Sequence, residues 1–303
     1  MAAVPGPRSP GRPIERVGIV GAGIMGSGIA QVCLAAGRQV RLHDVSPVAL
    51  VTARERIIDG LDRLVARERL GPRQRDAAEA ALELVDGVDG LATLVDGADL
   101  VIEAAAEDLD VKEAVFRALD ELAGPDVILA TNTSSLSVAD CASATSRPER
   151  VLGLHFFNPA PLMALVEVVA HGLVGRGVVG RATAFVEALG KTVVRCADSP
   201  GFVVNRVGRP YVLEGVRMLE AGEGSVAAID TFLEAAGYPM GPFRLIDLIG
   251  LDVDLAIDDV LLEAFGADRF EAPSLQRDLA AAGRLGRKSG HGFYEWNDQG
   301  EAT

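Results

Sequence analysis

A chain of 303 residues that is 49% apolar, with no unbroken apolar run of membrane-spanning length, has material for one large core or two modest ones and reads as globular. Its formal charge of -14 opposes a general role in gripping nucleic acid or an anionic bilayer, because basic charge holds such partners. Three scattered cysteines, Cys33, Cys141 and Cys196, form neither a disulfide framework nor a zinc set, so a reducing cytoplasm and no metal are expected.

Residues 1–13 are proline-rich and lack the apolar stretch of a secretory signal, and read as a disordered tail. A β-rich run at 14–20 ends in Gly-Ala-Gly, a helical pattern follows until Gly37 stops it, and 40–43 reads as a second strand. Strand, turn, helix, strand is a βαβ unit, which implies parallel strands covered by helices. Further strands are expected at 100–103, 127–130, 151–155, 165–169 and 192–196, with helices at 111–122 and 178–189 between some of them. Near 197 the texture becomes almost wholly helical, with Ser199 as the expected N-cap and Pro200 as the first helical residue. The expected architecture is an N-terminal α/β, Rossmann-like dinucleotide-binding domain over 14–197. An all-α domain follows over 198–303.

Gly21-Ala22-Gly23-Ile24-Met25-Gly26 is G-x-G-x-x-G, a weak pattern alone in a chain with 34 glycines. It gains weight from following a strand, opening a helix and preceding Asp44 at the end of the next strand. Gly21 would make the tight turn, Gly23 would let the backbone approach a pyrophosphate, and Gly26 would let helix and strand pack closely. Phosphate then meets the free N–H groups of the helix, with Ile24 and Met25 in its first turn. Asp44 would accept from ribose hydroxyls and repel the extra phosphate of NADP, so the expected cofactor is NAD. A plain glycine turn beside a solvated aspartate is the alternative.

Three of the 29 basic side chains are lysine (Lys112, Lys191, Lys288) and the other 26 are arginine. In so arginine-biased a chain, the remaining lysines are candidates for places that need a compact ammonium rather than a planar fork.

Oxidation of a secondary alcohol by NAD needs a base for the hydroxyl proton. His155 suits that task, an unperturbed imidazole titrating at about 6.5, although taken by itself a satisfied core histidine is the better reading of it. Glu167 lies twelve residues on. If the strands carrying the two pair, its carboxylate can fix the imidazole tautomer. His43, His171 and His291 read as structural.

The runs Ala130-Thr131-Asn132-Thr133-Ser134-Ser135-Leu136, His155-Phe156-Phe157-Asn158-Pro159-Ala160-Pro161-Leu162-Met163, Leu165-Val166-Glu167 and Asp198-Ser199-Pro200-Gly201-Phe202 resemble the L-3-hydroxyacyl-CoA dehydrogenases, most nearly the bacterial 3-hydroxybutyryl-CoA dehydrogenases. Asn205-Arg206, Gly237-Tyr238-Pro239-Met240-Gly241-Pro242-Phe243 and Gly286-Arg287-Lys288-Ser289-Gly290-His291-Gly292-Phe293-Tyr294 carry the likeness to Trp296. The resemblance implies His155 and Glu167 as acid–base pair, Ser134 on the substrate oxygen and Asn205 positioning the substrate. It also implies Glu107, Lys112, Asn132, Ser134, Asn158 and Lys288 at the cofactor, and a homodimer through the helical domain.

Coenzyme A is anionic, and residues 54–75 hold seven arginines against four acids, with Ile57, Ile58, Leu61, Leu64 and Val65 forming an apolar helical face. In the family this region reaches toward the carrier's nucleotide, which makes Arg67 a candidate contact; a solvated charged helix is the other reading. Gly60 stands where some relatives have a carrier-contacting serine. The expected reaction interconverts (S)-3-hydroxyacyl-CoA and 3-ketoacyl-CoA. The resemblance implies that Phe156, Phe157 and Met163 line an acyl chain, which separates this reading from the free hydroxy acid or sugar acid of a rival dehydrogenase. A catalytically idle NAD-binding or structural protein is the reading of another class.

Overall fold

Alternating apolar runs and amphipathic stretches build an eight-stranded sheet in the first part of the chain. The computed structural model describes residues 12–297 and 299–302, so most of the expected tail, 1–11, lies outside the described residues. The chain divides into two compact units at Ser199/Pro200.

The first unit runs β1 (Arg16–Val20), α1 (Ile24–Ala35), β2 (Gln39–Asp44), α2 (Pro47–Ala66), α3 (Pro72–Ala80), β3 (Leu82–Asp86), α4 (Gly90–Val95) and β4 (Leu100–Glu103). It continues with α5 (Leu109–Leu122), β5 (Ile128–Thr131), α6 (Val138–Ser143), β6 (Val151–Phe156), β7 (Leu165–Ala170), α7 (Arg176–Ala188) and β8 (Thr192–Ala197). The strand order is β3-β2-β1-β4-β5-β6-β7-β8, with every neighbouring pair parallel except β6 and β7. The order reverses between β1 and β4, the switch point at which such sheets take ligands beyond their carboxyl ends.

Successive strand residues feed opposite faces. Ile19, Ile102, Ala130 and Leu154 join the core under α1, α2 and α7, whereas Val20, Val101 and Leu129 join the core under α4 and α5. Strands β4, β5 and β6 are buried along their whole length, as a sheet covered on both faces demands. The five strands expected from residue 100 onward are present, displaced by at most one residue at an end. Strand β3 was not expected. Its sequence Leu-Glu-Leu-Val-Asp follows an alanine-rich helical run, and it is a strand because Val40 to Asp44 of β2 offer it a partner edge.

The second unit packs α8 (Val204–Glu220), α9 (Val226–Ala235), α10 (Pro242–Ile249), α11 (Leu251–Phe265) and α12 (Ser274–Ala281) around Val212, Val216, Ile229, Phe243, Ile246 and Leu251. Asp247, 1% exposed, accepts from the backbone N–H of Phe293 and Tyr294 and from the Trp296 indole, tying down the segment after α12. The expectation of a helix starting at Ser199 and Pro200 is corrected. Gly201 at φ +70° and Phe202 at φ +48° are left-handed and stop a helix from propagating, so α8 begins at Val204.

Candidate active site

The glycine turn after β1 has the shape its sequence implies. Gly21 sits at φ +100°, where a Cβ would collide with the Ala104 carbonyl, and a Cβ at Gly26 would collide with the carbonyl of Gly21. At Gly23, by contrast, a Cβ would meet open space. Gly23 is also the N-cap of α1, which has no side-chain cap, so the N–H groups of its first turn are left to a ligand. Asp44 reaches back from β2: its two oxygens accept from the N–H of Ala22 and of Ser46 at 2.8 and 2.9 Å. Each oxygen keeps acceptor capacity for a ribose hydroxyl. An uncapped helix start, open space above Gly23 and a carboxylate at the next strand end fit a dinucleotide.

One sheet position over, the end of β4 carries a buried charge cluster. The Lys112 ammonium is 1% exposed and donates to both oxygens of Glu103, which is 0% exposed, at 2.8 and 3.0 Å, and lies 3.2 Å from Glu107. Glu103 also accepts from Thr131 Oγ1 and from the N–H of Ala105, both at 2.7 Å. Glu107 gathers the loop after β5, its Oε1 accepting from Thr133 Oγ1 at 2.6 Å and from the N–H of Ser134 and Ser135 at 2.9 and 3.2 Å. Burial alone would raise the Glu107 carboxyl, but Lys112, Thr133 and the Ser134 N–H together hold it below the usual carboxylate range. The structure thus places Lys112 behind Glu107, and Glu107 behind Ser134. Asn132 is tied into the same corner, its Oδ1 accepting from the N–H of Phe156 at 2.9 Å.

Strand β6 ends at His155 and Phe156, and the antiparallel register sets His155 directly opposite Glu167. Opposed residues of an antiparallel pair share a face. Accordingly the imidazole Nδ1 lies 2.8 Å from Glu167 Oε2, with His155 5% and Glu167 0% exposed. The Phe157 ring packs on the imidazole at 4.4 Å. Phe156 does not line this space: it is 2% exposed and belongs to the core, because the pleat turns alternate residues to the other face. Asn158 is exposed on the following loop. Among the described residues no group of histidine, cysteine and acid side chains could hold a metal, and no helix is long and apolar enough to cross a membrane.

Residues 16–199 match the model of the 3-hydroxyacyl-CoA dehydrogenase NAD-binding domain and residues 201–296 that of its C-terminal domain. The chain belongs to the 3-hydroxyacyl-CoA dehydrogenase family. It is an NAD-dependent oxidoreductase of that family. It is 43% identical to a 3-hydroxybutyryl-CoA dehydrogenase of Mycobacterium tuberculosis over 93% of this chain and 99% of that one. It is 45% identical to a 3-hydroxyadipyl-CoA dehydrogenase of Escherichia coli over 96% of this chain, but spans only 61% of that relative's length. The crystal structure of (S)-3-hydroxybutyryl-CoA dehydrogenase from Ralstonia eutropha superposes with a TM-score of 0.89 at 38% identity, covering 94% of this chain and 100% of that one.

The remaining expected residues of this family member are carried by other elements. Asn205 is in the first turn of α8 and Lys288 pairs with Asp252, both in the second unit. Arg67 ends α2 and is exposed. Of the seven nearby arginines, Arg54, Arg63 and Arg75 are paired to Glu79, Asp59 and Asp62, which lowers the free charge below what the composition implies. Gly60 is buried, and a Cβ there would press on the Gln31 amide. A serine at this position would need Gln31 to move. His43 and His171 bond main-chain carbonyls, and His291 pairs with Glu295. Sequence reasoning gives Glu103, Thr131 and Asp198 no role at the site. An acid at the end of an otherwise apolar strand, buried with it, was the available signal for Glu103.

Proposed function

We propose that this protein interconverts (S)-3-hydroxyacyl-CoA and 3-ketoacyl-CoA with acyl chains as short as the 3-hydroxybutyryl group. The observation that carries the reading is the His155–Glu167 hydrogen bond at 2.8 Å between register partners of β6 and β7. With Glu167 on Nδ1, proton exchange with the substrate hydroxyl falls to Nε2. The buried carboxylate holds the tautomer and stabilises the imidazolium formed as the alcohol is oxidised. NAD, when bound, accepts the hydride from the same carbon. Gly21, Gly23, Gly26 and the first turn of α1 would hold its pyrophosphate, Asp44 its ribose, and Asn132 and Asn158 would complete the cofactor's surroundings on the first unit. Glu107 braces the Ser134 loop and is itself balanced by Lys112.

In the ketone direction the same groups act in reverse: His155 gives up its proton to the carbonyl oxygen, and the Ser134 hydroxyl donates to that oxygen as charge develops. The exposed Arg67 meets the carrier's nucleotide. Phe157, Leu162 and Met163 supply apolar surface for the acyl chain, a role that a free sugar acid would not use. The second unit forms a homodimer. Three free cysteines fit a reducing cytoplasm.

The test is to mix the purified protein with NADH and acetoacetyl-CoA and follow NADH absorbance, with free acetoacetate as control. Consumption only with the thioester is expected. His155→Ala and Glu167→Gln should each lower kcat by about 10²–10⁴-fold while NADH affinity stays within about twofold. Consumption with the free acid alone, or unchanged turnover in both variants, would overturn the reading.

A further inference from the structure

Lys191 is the lysine that this function leaves unused. The other two meet carboxylates, Lys112 those of Glu103 and Glu107, Lys288 that of Asp252. Lys191 instead meets main-chain carbonyls. It stands between α7 and β8, where Gly190 at φ +74° turns the chain. Its Nζ donates to the carbonyls of Met163 at 2.7 Å and Ala160 at 2.8 Å, with that of Pro161 at 3.4 Å.

All three carbonyls belong to the loop that joins β6, carrying His155, to β7, carrying Glu167. The loop's own bonds are few: the N–H groups of Leu162 and Met163 both donate to the Pro159 carbonyl at 3.0 Å. Its buried side is Ala160, 3% exposed and lodged with Pro161 against Gly28 of α1, where an added Cβ would stand 3.3 Å from either. Its apolar side chains stand outward instead, Leu162 67% and Met163 39% exposed. Little burial therefore anchors this part of the loop, and charge-assisted bonds to its carbonyls take over. An ammonium spreads three donors tetrahedrally and can serve carbonyls converging from one turn, which a planar guanidinium fork cannot match. That is a physical reason for a lysine here in a chain that otherwise uses arginine.

We propose that Lys191 is a positioning residue for substrate specificity: by gathering the carbonyls of Ala160, Pro161 and Met163 it fixes where Leu162 and Met163 meet the acyl chain. The inference rests on the acyl-thioester reading above. The backbone bond from the Thr192 N–H to the Ala164 carbonyl, 2.7 Å, closes the far end of the same loop, so the lysine governs the stretch between that bond and Pro159.

The test uses the full chain with Lys191→Arg, which keeps the charge, and Lys191→Met, which keeps the stem. Steady-state kinetics with acetoacetyl-CoA and with 3-ketooctanoyl-CoA are measured beside hydrogen–deuterium exchange of the peptide over residues 157–165. Both variants should raise KM for the ketoacyl-CoA by about tenfold and flatten the preference between the two chain lengths, with kcat and the KM for NADH within about twofold. Exchange should quicken in 157–165 and stay unchanged in the sheet. Unaltered KM and chain-length preference in both variants overturns the proposal, as does a uniform change in kcat, both KM values and exchange throughout the first unit. Should Lys191→Met fail to fold, Lys191→Arg decides. If the unaltered protein reduces no thioester, the functional reading fails by itself. The exchange arm then decides alone, and unchanged exchange over 157–165 overturns the role of Lys191.

Discussion

Replacing Lys112 by methionine keeps most of the side-chain volume and removes one buried charge. The ammonium is 1% exposed and Glu103, its partner at 2.8 and 3.0 Å, is 0% exposed. The variant strands the Glu103 carboxylate with two remaining donors, Thr131 Oγ1 and the Ala105 N–H. Breaking a buried pair from one side costs about 3–5 kcal/mol, and the two surviving hydrogen bonds place this case near the lower end, about 3 kcal/mol. For a unit of this size each kcal/mol moves the melting temperature by roughly 2–4 °C, so a fall of about 6–12 °C is expected by circular dichroism. Adding Glu103→Gln to Lys112→Met removes the stranded charge, and the double variant should recover most of that loss. NADH affinity, read by fluorescence, should fall about tenfold in Lys112→Met, because Glu107 loses the cation that balances it while it gathers the Ser134 loop. Melting of Lys112→Met within about 2 °C of the unaltered protein, or a double variant less stable than the single one, would refute the argument that the ammonium is there to balance Glu103.

Gly23→Ala has room for its methyl and an ordinary backbone φ of -67°, so it should fold normally yet lose NAD affinity by at least about tenfold; calorimetric titration that finds wild-type affinity would show that no phosphate approaches there. Asp44→Ala should shrink the NAD-over-NADP ratio of kcat/KM by about tenfold or more and weaken NAD as well, since the N–H groups of Ala22 and Ser46 lose their acceptor. In the second unit Arg209 faces two buried carboxylates, Asp254 and Asp258, and burial first of all pushes the Asp258 carboxyl up to about 6. A carboxyl raised in the folded state takes up protons on folding between the unfolded value, about 3.9, and that raised value, so its contribution to stability grows as pH falls through this window. Acidification from pH 8 to pH 4 should therefore favour the unaltered protein over Asp258→Asn, the difference in melting temperature (unaltered minus variant) growing as pH falls; a difference that moves the other way contradicts the assignment.

Local signals were enough for the parts of the molecule that depend on local chemistry. The turn at Gly21, Gly23 and Gly26 is legible because its conformations are demanded by sterics within a few residues and by one neighbouring strand. The buried strands β4 to β6 are legible because they are continuous apolar runs. Strand β3 is not legible, since Leu82 to Asp86 follow a helical run and become a strand only by pairing with β2. The same distinction separates residues within the site. His155 and Glu167 can be paired in advance because one reversal between two predicted strands brings them together. Phe156 and Phe157 look like a matched apolar lining, yet the pleat sends the first into the core and leaves the second on the imidazole.

Asp198 shows the limit most clearly, because a correct local signal sits there under the wrong owner. Asp-Ser-Pro-Gly is good helix-start chemistry, and the structure does use its acid at a helix start, but at that of α6, some sixty residues earlier. The Asp198 carboxylate accepts from the N–H groups of Val138 and Ala139 at 3.1 and 2.7 Å, beside the cap that Ser137 already provides. Helix α6 follows directly on the loop holding Ser134, whose other side is gathered by Glu107. A carboxylate at the end of β8 and another after β4 thus grip one short loop from both ends. Their sequence distances from it, set by how the strands are ordered in the sheet, carry no periodicity from which a reader could have joined them.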